Sequence, residues 1–223
     1  MTRTFGWPEF LFVLAALRWT LALSLVAFVG GGVGGFVIAM ARISRFAPLR
    51  WLTGLYIQLF QGTPVLMQLF VVYYGLAVLV DLRIEAWPAV ALAFTCYAAA
   101  FLGDIWRGSI QAVPRQQWEA AECLTLTYPS QLFYVILPQA VRIAIPSTVG
   151  FLVQLIKGTS IASIIGFVEL TRAGQLMTNV TFQPMVVYPV VAALYFAICF
   201  PLSALSLTLE KRLDAARGLT QHL

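Results

Sequence analysis

The chain has 223 residues, of which 61% are hydrophobic and only 10% are charged. A soluble domain of this length usually has an apolar share of about 45–50%, so the composition excludes that class and indicates an integral membrane protein. The net charge of +5 does not indicate a nucleic-acid-binding protein, because no basic cluster is interleaved with aromatic residues on a polar segment.

Five segments reach about 20 mainly apolar residues, the length that a helix needs to cross a bilayer. They are residues 19–41, 55–79, 87–106, 134–156 and 185–209. These segments predict an all-α membrane protein with about five transmembrane helices. No polar segment is long enough to fold alone, so residues 1–223 are predicted to form a single domain. Pro138, Arg142 and Pro146 interrupt the fourth segment and predict a broken span that faces the protein interior.

The segment before the first span and the glycines within it carry two further predictions. Residues 5–17 are predicted to form a separate interfacial helix, with Trp7 and Trp19 at the headgroup level. The glycine run from Gly30 to Gly35 lacks the strand and the Lys-Ser/Thr pair of a phosphate-binding loop, so it predicts close packing between helices.

The basic residues predict how the spans are oriented. With the amino terminus outside, nine of the 14 Lys and Arg residues fall in cytoplasmic segments: Arg42, Arg45, Arg50, Arg107, Arg115, Arg142, Lys211, Arg212 and Arg217. The exterior segments contain Arg3, Arg83 and Arg172. The excess on one side predicts a cytoplasmic carboxyl terminus and a cytoplasmic location for the segment between the third and fourth spans.

That segment is the least typical part of the chain, because it is a polar, helix-forming stretch inside an apolar sequence. It reads EAAECLTLTYPSQLFYVILPQA, from Glu119 to Ala140. Glu-Ala-Ala favours a helix and Tyr128-Pro129-Ser130 favours a turn. The pattern predicts a helix–turn–helix hairpin with Glu119 at the start of its first helix, although an ordinary interhelical loop is the alternative.

The hairpin resembles the Glu-Ala-Ala loop of the permease subunits of ABC importers. The matching positions are Glu119, Ala120, Ala121, Ile136, Leu137 and Pro138. Thr125 stands where that pattern has glycine, and because Thr has less backbone freedom the bend is expected at Tyr128-Pro129 instead.

Three other stretches are similar to the polar amino acid subfamily of these permeases. They are YIQLFQGTPVLMQLFVVYYGL, YAAAFLGDIWRGSIQAVPRQQWEAA and LIKGTSIASIIGFVEL. The resemblance spans roughly residues 15–213 and implies the type I ABC importer permease fold. Within the first stretch, Gln61-Gly62-Thr63-Pro64 is predicted to bend its span rather than to bind solute.

The resemblance implies a transport subunit that is not an enzyme and moves a polar or charged amino acid into the cytoplasm. A related small solute such as an opine is the alternative. The implied partners are a cytoplasmic ABC ATPase dimer, a second permease subunit that is identical or paralogous, and a periplasmic or extracellular amino-acid-binding protein. ATP and Mg would bind the ATPase, and no cofactor or metal is expected on this chain. The implied location is the bacterial cytoplasmic (inner) membrane.

Two sets of residues are candidates for these roles. The ATPase-coupling set follows from the resemblance: Glu119, Ala120, Ala121, Thr125, Leu137 and Pro138. The alternative for Glu119 is that it only caps its helix and contacts no partner protein. The substrate-path set consists of ionisable or hydroxyl groups in or beside spans, where such groups are costly: Asp104, Lys157, Thr159, Ser160 and Glu169. Local i,i+3 pairs with Arg107 and Arg172 are the alternatives for the two acids.

Two other classes fit the sequence less well. An intramembrane enzyme would need a nucleophile or metal set, yet the one histidine is His222 in the tail. The three cysteines, Cys96, Cys123 and Cys199, lack metal spacing and are predicted to be small buried hydrophobes. A channel or secondary transporter would not explain a coupling hairpin.

Overall fold

The computed structural model describes residues 4–79, 81 and 83–216, with only the backbone for 214–216. Its regular structure is helical over these residues. The α-helices are α1 (Trp7–Ile43), α2 (Ala47–Gly62), α3 (Val65–Phe70), α4 (Leu76–Leu79), α5 (Ala86–Gln111), α6 (Arg115–Cys123), α7 (Tyr128–Ser130), α8 (Leu137–Gly158), α9 (Leu170–Thr181) and α10 (Pro184–Ala216). Arg3, Arg217 and His222 lie outside the described residues.

The described residues contain four helical segments long and apolar enough to cross a membrane, or five if the bent α2–α4 segment counts as one span. The four are Trp7–Ile43, Ala86–Gln111, Tyr128–Ile165 and Pro184–Leu213. The prediction of an all-α membrane protein with about five spans is therefore confirmed.

The prediction of a separate interfacial helix over residues 5–17 is wrong, because α1 is one continuous helix of 37 residues. At 1.5 Å per residue it is about 55 Å long, well beyond the roughly 30 Å of a bilayer core. Its amino-terminal half stays helical because Val13 and Ala16 are buried against Leu170 of α9 and Val187 of α10.

The first and third spans run parallel and pack closely through glycine. A Cβ at Gly31 would lie 2.4 Å from the Cβ of Ala98, and one at Gly35 would lie 2.9 Å from the backbone nitrogen of Gly103. Such contacts are too short for any side chain, so α1 and α5 approach backbone to backbone there. The glycine run packs helices, as predicted from the sequence.

The second span is bent by 105° between α2 and α3. Thr63 and Pro64 are extended at this point, so the carbonyl groups at the end of α2 lose their helical partners. The Gln68 amide nitrogen donates to the Phe60 carbonyl oxygen at 2.8 Å and to the Thr63 carbonyl oxygen at 3.1 Å. The Gln-Gly-Thr-Pro segment therefore bends the span, as predicted.

The fourth span is not broken, contrary to the sequence prediction. A π-helical turn, Gln131–Ile136, precedes α8, and in it the Leu137 N–H donates to the Leu132 carbonyl oxygen. Pro138 then falls in the first turn of α8, where proline is tolerated. The span ends in a 3₁₀ helix, Thr159–Ile165, that is capped by Gly166 with φ +87°.

Side-chain contacts define the two ends of the bundle. On the antiparallel pair α5 and α8, Phe94 lies beside Gly158 and Trp106 donates to Thr148. One end, here called the α6 end, therefore brings together the carboxyl ends of α1 and α5 with α6 and the start of the fourth span. The opposite end contains the start of α5 and helix α9, because the Leu170 N–H donates to Thr20 at 3.1 Å.

Candidate functional site

The first candidate site is the hairpin at the α6 end. Helix α6 begins at Arg115, directly after Pro114, so Glu119 lies one turn inside the helix and not at its start. Its carboxylate oxygen is 3.0 Å from the Arg115 Nε, and both side chains are largely exposed. A solvent-exposed i,i+4 pair is worth only about 0.3–0.5 kcal/mol, so Glu119 can exchange Arg115 for another cation at little cost.

The turn of the hairpin lies at Thr125, not at Tyr128-Pro129 as expected. Thr125 has φ +56°, in the left-handed region. Its N–H donates to the Glu122 carbonyl oxygen, and the Leu126 N–H donates to the Ala121 carbonyl oxygen. This pair of bonds is a Schellman motif with Thr125 at the position that glycine usually occupies. Tyr128 and Pro129 instead begin the next helix, α7.

The hairpin is held to the bundle by side chains on both of its arms. Trp118 of α6 stacks on Tyr128 with 6.1 Å between ring centroids. The Gln131 amide donates to the Leu126 carbonyl oxygen at 2.8 Å. Trp118 and Tyr128 also pack on the buried cluster of Ile110 and its neighbours. A force on α6 is therefore transmitted to α5 and to the start of the fourth span.

The remaining coupling residues divide into exposed and internal positions. Ala120 and Pro138 are exposed, whereas Leu137 is half-buried and packs in the cluster around Ile110. Ala121 is only 2% exposed. Ala121 therefore faces the protein itself, and a substitution there would disturb the hairpin before it disturbed a docking partner. Cys123 is exposed, contrary to the expectation that all three cysteines are buried.

The second candidate site is a pair of cavities between α8 and α10. One has a volume of about 380 Å³ and is lined by Lys157, Ser160, Thr171, Tyr188 and Tyr195 together with Val191 and Ala192. The other, of about 270 Å³, shares Lys157 and Tyr195 and includes Ser203. No Asp or Glu from the described part of the chain lines either cavity, so Lys157 is positioned to receive an anionic group.

Glu169 lies behind these cavities and is fully buried. Its carboxylate accepts hydrogen bonds from the Thr171 N–H at 2.9 Å, the Arg172 N–H at 2.7 Å and the Tyr195 hydroxyl at 2.8 Å. Burial raises the pKa of Glu169, although these hydrogen bonds oppose the shift. Its contact with Arg172 is made through the backbone as a helix N-cap, whereas the Arg172 guanidinium donates to Gln175.

The other predicted path residues are placed differently. Thr159 is fully buried, and its hydroxyl donates to the Ile156 carbonyl oxygen at 2.7 Å. Asp104 forms the i,i+3 pair with Arg107, at 2.7 Å, that was the alternative to a place in the substrate path. Since Lys157 lies at the level of Phe94, Asp104 is ten helical residues away, or roughly 15 Å along the bundle. The structure does not group Asp104 with Lys157.

Sequence reasoning missed Tyr195, Thr171 and Tyr188. Tyr195 joins the two cavities, and its hydroxyl also lies 3.0 Å from the Thr171 hydroxyl. All three belong to α9 or α10, whereas Lys157 belongs to α8. The one signal in the sequence is the spacing of two tyrosines. Tyr188 and Tyr195 are seven residues apart, which places their hydroxyl groups on one face of α10. Within the described residues, no three His, Cys, Asp or Glu side chains are grouped as a metal site needs.

A comparison with protein families agrees with this geometry. Residues 31–215 match the family described as "Binding-protein-dependent transport system inner membrane component". The match covers both the hairpin and the cavities. The chain belongs to this family. As one of these inner membrane components, it is the permease subunit of an ABC importer.

Similar permeases include several from Bacillus subtilis (strain 168). The chain is 36% identical over 209 residues to the L-cystine transport system permease protein TcyB, and the alignment covers 93% of this chain and 88% of TcyB. It is 35% identical over 195 residues to the probable glutamine ABC transporter permease protein GlnM, over 87% of this chain and 90% of GlnM.

Two solved structures resemble this permease. A crystal structure of an amino acid ABC transporter with histidines has a TM-score of 0.85 and 33% sequence identity, covering 90% of this chain and 94% of that chain. An inward-facing MetNI methionine ABC transporter has a TM-score of 0.72 and 18% identity, over 92% of this chain and 99% of that one. The second shows likeness of fold alone.

Proposed function

We propose that this permease carries a polar or charged amino acid across the bacterial inner membrane, driven by ATP hydrolysis on a separate subunit. The observation that carries the proposal is the combination of an exposed hairpin with cavities beside α10 to which Lys157, Ser160 and Tyr195 contribute polar groups. The related permeases for cystine and glutamine support the class of solute. The proposed partners are an ABC ATPase dimer, a second permease subunit and a soluble amino-acid-binding protein.

The α6 end faces the cytoplasm in this proposal. Arg42, Arg45, Arg50 and Arg115 lie at that end, as the positive-inside rule requires. ATP and its Mg ion bind the ATPase, which closes on the nucleotide and moves α6. The Trp118–Tyr128 stack carries that movement to α5 and α8. The chain itself only binds solute and changes the side to which its cavities open.

The solute path runs past Lys157 in this proposal. The ammonium group of Lys157 receives the solute carboxylate, and the hydroxyls of Ser160 and Tyr195 supply further hydrogen bonds. Glu169 does not reach the cavities. It orients the Tyr195 hydroxyl from behind, through the 2.8 Å hydrogen bond.

The path is tested by uptake kinetics of the reconstituted importer. Lys157→Met removes a charge-assisted hydrogen bond worth about 1.5–3 kcal/mol, so we expect apparent affinity for the amino acid to fall by about 10–100-fold. Lys211→Met is the control, because Lys211 is an exposed lysine near the end of α10. Asp104→Asn should leave affinity unchanged, since Asp104 is paired elsewhere. Wild-type affinity in Lys157→Met would refute this path.

Docking at α6 is tested through its own thiol. Cys123 is exposed on α6, whereas Cys199 is buried and Cys96 half-buried. A polar maleimide should label Cys123 in the isolated permease and label it more slowly once the ATPase is added. A Lys211→Cys variant provides an exposed thiol outside α6 for comparison. Equal labelling of Cys123 with and without the ATPase would place the docking surface elsewhere.

A further inference from the structure

The α6 end contains a basic cleft that the transport proposal does not use. The cleft has a volume of about 430 Å³, and its lining includes Arg42, Arg45, Arg50, Gln111, Trp118 and Tyr128. Among the described residues, no Asp or Glu lines it. Three guanidinium groups thus share one cavity without a carboxylate to balance them.

The arginines are only partly satisfied by the protein. The Nε of Arg42 is buried and has no hydrogen-bond partner among the described residues. The Arg45 guanidinium lies over the Tyr128 ring, 5.1 Å from its centroid, and remains exposed. Arg50 closes the loop between α1 and α2 by donating to the Ser44 and Arg45 carbonyl oxygens. This arrangement holds positive charge in place and leaves donors for an anion with several oxygens.

An apolar groove adjoins the cleft on the side of the bundle formed by α1, α5 and α8. It has a volume of about 380 Å³ and is lined by Phe36, Met40, Ile110, Leu137 and Val141, among others. Ile110 lines both the cleft and the groove. The polar cleft and the apolar groove therefore adjoin at Ile110, and the two together are here called the amphipathic site.

We propose that this site binds a phospholipid with a net negative headgroup. Its phosphate lies among Arg42, Arg45 and Arg50, and one acyl chain lies in the groove beside Ile110. The cleft lies where α1 and α5 end, which is the headgroup level of a membrane span, and the aromatic residues Trp118 and Tyr128 belong at that level. Basic pockets between transmembrane helices are known to recognise anionic headgroups. A soluble protein would not fill the groove, because the groove lies along the apolar spans.

The site adjoins the coupling hairpin. Trp118 and Tyr128 line the cleft and also form the stack that connects α6 to the bundle. A bound lipid therefore stabilises one position of the hairpin. This role does not depend on which solute the permease moves.

The proposal is tested by counting the lipids retained on the complete importer. The importer is purified with its ATPase from membranes containing phosphatidylcholine and phosphatidylglycerol, and retained lipids are identified by native mass spectrometry. We expect at least one phosphatidylglycerol to be retained. Arg45→Gln should lower its retention about five-fold, from the loss of one headgroup charge. Val141→Trp, which fills the groove, should lower it without altering charge.

Controls separate this site from other sources of binding. Lys211→Gln removes one exposed charge that does not line the cleft and should leave retention unchanged. Equal retention in all variants would overturn the proposal. Displacement of the lipid by millimolar inorganic phosphate would show a simple anion site and would also overturn it. A third result would overturn the proposal: the permease alone retains phosphatidylglycerol, and binding of the ATPase removes it. The cleft would then belong to the interface between the two proteins.

Discussion

Thr125 is one of three described residues other than glycine with a positive φ, together with Asp81 and Phe182. A left-handed conformation costs a residue other than glycine roughly 1–2 kcal/mol, and the β-branch of Thr leaves it few ways to relax. The cap of the fourth span forms the same pair of bonds, from the Gly166 and Phe167 N–H groups, and uses glycine. The two turns differ in residue but not in hydrogen bonding.

Thr125→Gly is therefore predicted to stabilise the permease. Part of the gain is offset by the greater freedom of glycine in the unfolded chain, so we expect a net increase of about 0.5–1 kcal/mol. Thr127→Gly is the matched control, because Thr127 has an extended backbone with φ −67° and ψ 153°. Thermal unfolding of the purified importer should show a higher midpoint for Thr125→Gly and a lower one for Thr127→Gly. A lower midpoint for both would contradict the strain at Thr125.

Glu169 gives the protein a pH dependence of known sign. Burial raises its pKa above the ordinary value of about 4.3. Between the unfolded and folded pKa values the folded state binds the extra proton, so the free energy of unfolding falls as pH rises through that window. Glu169→Gln removes this contribution. Unfolding midpoints measured upward from about pH 4 should fall more steeply for the wild type than for Glu169→Gln, and parallel curves would contradict the prediction.

At the scale of elements, one side chain supports the bend between α2 and α3. Gln68 donates to both Phe60 and Thr63 through its amide nitrogen. Glu has nearly the same shape but lacks these donors. Gln68→Glu is expected to cost about 1–3 kcal/mol, the penalty for leaving buried carbonyl groups unpaired.

The measurement is thermal unfolding of the purified Gln68→Glu importer. Gln58→Glu is its control, since Gln58 lies on α2, before the bend, and is exposed. The prediction would be contradicted if Gln68→Glu unfolded at the wild-type midpoint and only the control had a lower midpoint. That result would show that the bend is set by Gly62 and Pro64 alone.

The spans were predictable from composition, because a segment that crosses the hydrocarbon core must be apolar and must satisfy its backbone hydrogen bonds internally, as a helix does. Breaks were harder to predict. Pro64 breaks its span because Thr63 is extended before it, while Pro138 follows a π turn and leaves the helix continuous. Both prolines interrupt an apolar run in the sequence, and only tertiary packing distinguishes them. The separate helix predicted for residues 5–17 failed for the same reason, since α9 and α10 cover that surface.

The candidate sites were predictable to different degrees. Glu119 and the hairpin follow from a polar sequence within an apolar chain. Lys157 and Ser160 follow from the cost of polar groups at membrane depth. Tyr195 does not, because its role arises from the pairing of α8 with α10 and from Glu169 behind it. The burial of Ala121 was not predictable, because composition does not reveal which face of a helix of nine residues packs on its own bundle.

On the scale of the whole molecule, the proposed role of α6 is to connect a separate ATPase to the cavities beside α10. The hairpin, the cluster around Ile110 and the antiparallel pair α5 and α8 form one continuous packed route. The apolar spans hold that route in the membrane. The exposed Glu119 is the part of the route that a soluble ATPase can contact without altering the bundle.

ATP-driven amino acid uptake by proteoliposomes tests this claim most directly. Glu119→Lys reverses a charge at the docking surface, where a like-charge contact with the ATPase should lower uptake about ten-fold or more. Glu210→Lys makes the same change on an exposed residue near the end of α10. We predict that uptake is absent without the ATPase, falls in Glu119→Lys and stays at the wild-type rate in Glu210→Lys. Uptake by the permease alone, or equal rates in both variants, would contradict the account.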